Sequence, residues 1–106
     1  MSTTSLVTRI ESELKEAMLA KDAARLSTLR LLKSALGYVQ IERKTDALSD
    51  AEVISVIQKE IKKRRDSAEQ FQAGGRPEQA ALEVAEAGVL ETFLPKALAP
   101  EAAKPG

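Results

Sequence analysis

Histidine, cysteine and tryptophan are all absent from this chain of 106 residues. Without histidine there is no imidazole base for a serine–histidine couple and no histidine metal ligand. Without cysteine there is no disulfide framework, no thiolate nucleophile and no zinc site of the cysteine type. Catalysis would have to rest on carboxylates, lysine, arginine, hydroxyl groups or the single tyrosine. The sequence therefore disfavours an enzyme and predicts no catalytic residue, no metal site and no cofactor.

Aromatic residues are also scarce, at 3% of the chain, while alanine, leucine, glutamate, lysine, arginine and glutamine dominate. These are good helix formers, and no stretch alternates apolar and polar residues as a half-buried strand would. No window approaches the roughly 18 apolar residues of a membrane span, and the segment Met1–Ser5 lacks the basic start of a signal peptide. We therefore expect a small all-α protein that is located in the cytoplasm and has no membrane partner.

Capping residues and apolar periodicity predict a four-helix, bundle-like domain with helices near residues 5–21, 22–43, 49–73 and 77–94. Asp22 is a good N-cap for the second helix, and Ser49 with Glu52 has the pattern of a capping box at the start of the third. Gly74–Gly75 ends that helix, and Pro77 suits the first turn of the fourth.

The sequence leaves one junction undecided and predicts a tail without regular structure. The Lys21–Asp22 junction is compatible with a turn between two helices or with a kink in one long helix. The predicted domain covers residues 1–95, and the Ala/Pro-rich segment 96–106 is expected to be a frayed tail.

Each helix carries an apolar stripe that predicts its core face. The stripes of the first two helices comprise Leu6, Ile10, Leu14, Ala17 and Met18, and Leu26, Leu29, Leu32, Leu36 and Val39. Those of the last two comprise Val53, Ile57, Ile61, Ala68 and Phe71, and Leu82, Ala85, Val89, Leu90 and Phe93. Tyr38 on the second helix is expected to pack or to be half exposed.

The zero net charge conceals an uneven distribution. Residues 1–65 hold 13 lysines and arginines against 9 acidic residues, whereas residues 66–106 hold 3 against 7. A dense cationic run on the third helix, with cations of the second, could bind nucleic-acid phosphates. The candidate residues are Arg30, Lys33, Lys59, Lys62, Lys63 and Arg65. The alternative is a solvated helix face with weak intrahelical pairs. No aromatic residue interleaves these cations, so base stacking is not supported.

Other charges fall on or beside the apolar stripes. Arg25, Arg64 and Glu86 occupy such positions, and an unpaired buried charge is costly. We expect Arg64 to pair with Glu60 one turn back or with Glu86 on the fourth helix, so that these pairs fix helix register. The alternative is a partly buried cation held for an anionic ligand.

Three stretches of the chain resemble the GatB/YqeY family. They are Arg25–Ala35, Ile61–Ser67 and Glu83–Pro95, the last ending in Phe93-Leu94-Pro95, and the similarity extends over residues 5–98. The resemblance implies an all-α protein related to the tail region of the B subunit of tRNA-dependent amidotransferases, where such modules help to hold tRNA. Family members usually continue past the Leu-Pro motif into a second helical domain. We therefore expect this chain to represent the N-terminal helical domain, with residues 96–106 as the possible start of the second.

Together these observations predict a non-catalytic helical module that assists tRNA-dependent amidation or aminoacylation. Its expected partner is tRNA, bound through phosphate contacts, or a tRNA-handling enzyme such as an aminoacyl-tRNA synthetase or an amidotransferase. The alternative is a protein–protein interaction module whose apolar grooves receive a partner helix or a second copy of the chain. The sequence does not define the oligomeric state.

Overall fold

The computed structural model describes residues 5–95 and Leu98, and over these residues the protein is all-α, as predicted. Four helices follow one another along the chain: α1 (Leu6–Leu19), α2 (Ala23–Arg43), α3 (Asp50–Ala73) and α4 (Pro77–Glu91). The remainder of the predicted tail lies outside the described residues. The helices begin within one residue of the predicted positions, but α1 and α4 end two or three residues earlier than expected.

Side-chain caps hold the N-termini of the first three helices. Asp22 and Ser49 are the caps that the sequence predicts, and Ser5, the predicted first residue of α1, is its cap. Ser5 Oγ accepts from the backbone N–H of Thr8, and Asp22 Oδ1 accepts from that of Arg25, at 3.1 and 3.2 Å. At α3 the capping box is complete, because Ser49 Oγ and the Glu52 carboxylate each accept from the other residue's backbone N–H. These bonds satisfy donors that a helix N-terminus leaves free.

Helices α1 and α3 each end at a residue with a left-handed backbone conformation. Gly75 has φ +77° after α3, and its neighbour Arg76 donates its backbone N–H to Phe71 O at 2.8 Å, which is the Schellman arrangement. Lys21 takes the same role after α1 with φ +57°, and the Asp22 N–H bonds to Ala17 O at 2.9 Å. The junction at residues 21–22 is therefore a turn between two helices, and the alternative of one kinked helix is wrong.

Helices α1 and α2 form one antiparallel hairpin, and α3 and α4 form another. Glu13 on α1 contacts Arg25 near the start of α2, while Glu11, earlier on α1, contacts Lys33, later on α2. The two hairpins pack around a common apolar core. Its best-buried side chains are Ile10, Ala17, Leu29, Leu32, Leu36, Val53, Ile57, Ile61, Ala87, Leu90 and Phe93.

The hairpins are also joined by polar contacts between distant parts of the chain. Asp50 Oδ1, in the first turn of α3, accepts the backbone N–H of Leu6 at 3.0 Å. Near the same end of α1, Arg9 donates to the carbonyl oxygen of Thr92, just beyond α4, at 2.7 Å. Arg9 thus supplies a positive charge where the carbonyl groups of α4 end, which is favourable for the helix dipole.

The predicted core face of α4 is partly wrong. Leu82 is 60% exposed and Ala85 is exposed, whereas Ala80, Ala87 and Leu90 are buried. Val89 is half-buried, and Phe93 is buried beyond the end of the helix. Apolar residues lie on nearly every side of α4, so periodicity alone does not select one face. Residue size does not select it either, because Ala81 and Ala85 are exposed while Ala80, Ala87 and the larger Leu90 are buried.

Two further expectations on exposure need correction. Met18, assigned to the α1 stripe, is 50% exposed, whereas Ala17 in the same last turn is fully buried. Tyr38 is 74% exposed and therefore neither packed nor half exposed. Its position on the outer side of α2 keeps it away from the core face formed by Leu32 and Leu36.

Candidate functional site

The outer side of α3 presents three lysine side chains, which we call the lysine face: Lys59, Lys62 and Lys63. The spacing 59, 62, 63 places them opposite the buried stripe of α3, and all three are exposed. Lys62 Nζ lies 3.3 Å from Asp66 Oδ2, and Lys63 Nζ lies 3.3 Å from Glu60 Oε2. Because the two lysine side chains are 77% and 71% exposed, these pairs are weak and easily exchanged.

Of the other predicted nucleic-acid contacts, Arg65 lies beside the lysine face, where it lines a depression together with Lys62. Arg65 is half-buried and pairs with Glu91 on α4. Lys33 faces α1, where its Nζ lies 3.8 Å from Glu11 Oε2, and Arg30 is exposed near the start of α2. Arg30 and Lys33 on α2 thus lie apart from the lysine face, and the six candidate cations do not form one continuous surface.

Arg64 links α3 to α4 from a buried position, with 8% of its surface exposed. Its Nη1 donates to Glu60 Oε1 at 2.7 Å, and its Nε lies 3.3 Å from Glu86 Oε1. Both carboxylates considered from the sequence are thus in contact with the same guanidinium. The angle to Glu86 is unfavourable, so Nε makes no hydrogen bond to any described atom.

Arg25 belongs to a separate network that the sequence did not reveal. Its Nη2 lies 2.5 Å from Glu13 Oε1, and the other Glu13 oxygen lies 3.2 Å from Arg9 Nε. The Arg9 guanidinium also stacks over the Phe93 ring, 4.9 Å from its centroid. The spacing of Arg9 and Glu13 by four residues was a signal for part of this network. The arrangement connects α1, α2 and the end of α4.

A groove runs between α2, α3 and α4, and we call it the α2–α3–α4 groove. Its volume is about 510 Å³. Leu31, Ala35 and Tyr38 line the α2 side, Glu83 and Glu86 line the α4 side, and Arg64 lies in contact with the groove from α3. Leu31 is 50% exposed, and Tyr38 is 74% exposed. Leu31, Ala35 and Tyr38 thus form a second stripe on α2 that was not predicted, although the spacing 31, 35, 38 is helical.

At the start of α3, the pKa of Glu52 is lowered. The main cause is the backbone N–H of Ser49, which donates to the Glu52 carboxylate, and the nearby Arg43 guanidinium adds to it. Arg43 Nε lies 2.8 Å from Glu52 Oε2. The lowered pKa of Glu52 therefore follows from its role in the α3 cap and does not indicate a ligand-binding site.

Within the described residues, no group of three or more acidic side chains is arranged to hold a metal ion. The described helices also include none that is long and apolar enough to cross a membrane. The geometry therefore offers two surfaces with distinct chemistry, the lysine face and the α2–α3–α4 groove.

Comparisons with known proteins place this chain in a family. Similar curated proteins are named "Altered inheritance of mitochondria protein 41, mitochondrial". The protein from Saccharomyces cerevisiae strain YJM789 is 28% identical over 86% of this chain and 49% of its own length. That from Lachancea thermotolerans is 30% identical over 83% of this chain and 47% of its own length. The chain thus spans about half the length of these relatives. The family described as "Yqey-like protein" matches residues 7–105, which confirms the family resemblance, and the chain belongs to it.

Proposed function

We propose that this protein is a non-catalytic helical module that assists tRNA-dependent amidation or aminoacylation by binding tRNA. The observation that carries the proposal is the lysine face, three exposed ammonium groups on one side of α3. Surface pairs such as Lys62–Asp66 contribute about 0–1 kcal/mol, so phosphate oxygens can replace the carboxylates at little cost. Such contacts follow the backbone and carry no base specificity.

The same proposal includes the setting of the module. It would act beside a tRNA-handling enzyme, an aminoacyl-tRNA synthetase or an amidotransferase, in the cytoplasm. The word "mitochondrial" in the names of the yeast relatives applies to those proteins. In this proposal the chain supplies electrostatic contacts only, because it has no histidine to act as a base and no cysteine to act as a nucleophile.

The test is tRNA binding as a function of salt, measured for the natural chain and for Lys59→Gln/Lys62→Gln/Lys63→Gln. Each lost phosphate contact reduces the slope of log K against log salt by about 1, so the triple variant should bind more weakly with a slope reduced by about 3. The matched control, Lys15→Gln/Lys21→Gln/Arg76→Gln, removes the same charge elsewhere and should retain the natural slope. Absence of tRNA binding at about 50 mM salt would refute the proposal.

A second candidate function is a protein-binding module. It is favoured by one observation, the large exposed side chains Leu31 and Tyr38 on the rim of a groove. Exposed apolar side chains that cluster at a depression mark interaction sites more often than scattered ones do. An apolar interface would depend little on salt, which distinguishes this candidate from tRNA binding in the same titration.

A further inference from the structure

We propose that the α2–α3–α4 groove binds an amphipathic helix of another protein, and that this helix carries a lysine or arginine facing α4. The inference rests on the second candidate function, and it specifies the site and the chemistry of the partner. It is carried by the juxtaposition of an apolar wall on α2 with an acidic wall on α4.

The apolar wall has the dimensions of a helix-binding site. Leu31, Ala35 and Tyr38 follow the spacing i, i+4, i+7 along α2. At 1.5 Å per residue this stripe is about 10 Å long, which is about two turns of a helix. Tyr38 combines a large apolar ring with a hydroxyl group, and tyrosine is enriched among the residues that dominate binding energy at interfaces.

The opposite wall is acidic. Glu83 and Glu86 lie there, and Glu86 keeps 30% of its side chain exposed although it contacts Arg64. Among residues 5–95, Glu83 makes no ion pair within 4.0 Å. The charges that line the groove are those of Glu60, Glu83 and Glu86 against Lys63 and Arg64, which leaves one negative charge. A basic residue on the partner complements that charge.

A helix suits this groove better than an extended segment does. The three elements that form it are helices whose backbone groups bond within each helix, so they offer no free edge to an incoming strand. An extended segment would lose water from its own N–H and C=O groups without gaining partners for them. A helix satisfies these groups internally and presents apolar residues at i, i+4 and i+7 to a groove.

RNA does not fit the same site. The excess negative charge repels phosphates, and the α2 wall offers them no cation, only the hydroxyl groups of Ser34 and Tyr38. The groove and the lysine face share only Lys63, which lies at the groove edge. Variants of Leu31, Tyr38 and Glu83 therefore leave the proposed tRNA contacts unchanged.

The experiment is a selection from a displayed library of helical peptides, each about 18 residues long, or about five turns. Three positions at i, i+4 and i+7 vary among apolar residues, and flanking positions vary among lysine, arginine, glutamate and glutamine. The natural chain is the target, and Leu31→Asp/Tyr38→Asp is the counter-target. Because both replaced side chains are at least half exposed, the counter-target should fold, which circular dichroism checks.

The proposal expects selected peptides with an apolar triplet and a flanking lysine or arginine. Their affinity should fall at least about tenfold for Leu31→Asp/Tyr38→Asp, as is typical of central interface residues. Glu83→Lys should weaken binding, and exchanging the basic residue of the peptide for glutamate should restore it. Leu19→Asp is the matched control, because Leu19 is 75% exposed but does not line the groove, and it should leave affinity unchanged.

The remaining outcomes overturn the inference in distinguishable ways. If no peptide is enriched, the protein-binding function itself fails. If peptides bind the counter-target equally well, that function stands and the groove assignment is wrong; if basic residues are not enriched, the partner chemistry is wrong. Sedimentation that shows a dimer disrupted by Leu31→Asp assigns the groove to a second copy. Loss of tRNA binding in that variant assigns it to RNA.

Discussion

Replacement of Arg64 by methionine tests whether the buried ion pairs hold the two halves of the α3–α4 hairpin together. Arg64 is 8% exposed, and its guanidinium contacts Glu60 one turn earlier and Glu86 on α4. Methionine fills a similar length but removes the charge. The variant therefore leaves two carboxylates beside an apolar side chain, and one of them, Glu60, is only 12% exposed.

The size of the effect follows from how well each carboxylate is compensated. Removing one partner of a buried ion pair costs about 3–5 kcal/mol. Glu60 keeps Lys63 at 3.3 Å, and the 30% exposure of Glu86 lets water solvate it, so the loss is smaller here. Methionine also removes the buried Nε–H that has no described acceptor, which is a gain. We therefore expect Arg64→Met to lower the free energy of unfolding by about 1–2 kcal/mol.

Urea unfolding followed by circular dichroism at neutral pH measures this loss, and each 1 kcal/mol should also lower the Tm by about 4–8 °C. Lys62→Met is the control on the same helix. It removes a cation that is 77% exposed and should change stability by less than about 0.5 kcal/mol. The double variant Arg64→Met/Glu86→Met should recover part of the loss, because one uncompensated carboxylate is removed. A single variant as stable as the natural chain, or more stable, would show that these pairs do not hold the hairpin.

Three other changes test separate parts of the fold. Leu90→Ala should lower the free energy of unfolding by about 2–5 kcal/mol because Leu90 is fully buried. Leu82→Ala, at a position that is 60% exposed, should lower it by less than about 0.5 kcal/mol. Equal losses of stability in thermal unfolding would contradict the packing of α4. Lys21→Gly should raise stability by about 1 kcal/mol because φ is +57° there, and an unchanged urea midpoint would argue against that backbone. The lowered pKa of Glu52 adds stability above its ordinary value of 4.5 that is lost as pH falls through the lower folded value. The stability difference between the natural chain and Glu52→Gln should therefore be largest at neutral pH and shrink in acid, and a pH-independent difference would exclude this linkage.

Most helix boundaries could be predicted because they depend on local chemistry, and the exceptions are the ends of α1 and α4. Ser49 and Glu52 cap α3 through bonds spanning three residues, and Gly75 ends it through its own backbone freedom. Such interactions are visible in a few letters of sequence. The ion pairs of Arg64 could be predicted in the same way, since Glu60 is one helical turn away and Glu86 lies on the neighbouring helix α4.

The interaction surfaces could not be predicted in the same way, because they depend on which faces the helices present to each other. On α4, Ala80, Ala87 and Leu90 pack inwards, and Leu82 remains exposed. On α2, Leu31 and Tyr38 form a second stripe whose exposure depends on how far α4 reaches over that helix. Hydrophobicity alone assigns large apolar residues to the core, and only the packed arrangement shows which of them remain outside.

The distribution of ion pairs explains how a chain of zero net charge can have two chemically different surfaces. The acidic α4 neutralises part of the basic α3, since Arg64 contacts Glu86 and Arg65 contacts Glu91. These ion pairs neutralise the charges that lie between α3 and α4. The remaining charges lie on two surfaces that share only Lys63: the lysine face is on the outer side of α3, and Glu83 lines the groove. Salt should therefore weaken the proposed tRNA contacts steeply but affect the groove only through one basic residue of the partner. Because the groove variants retain all three lysines, the two proposals can be refuted independently, and neither depends on the total charge.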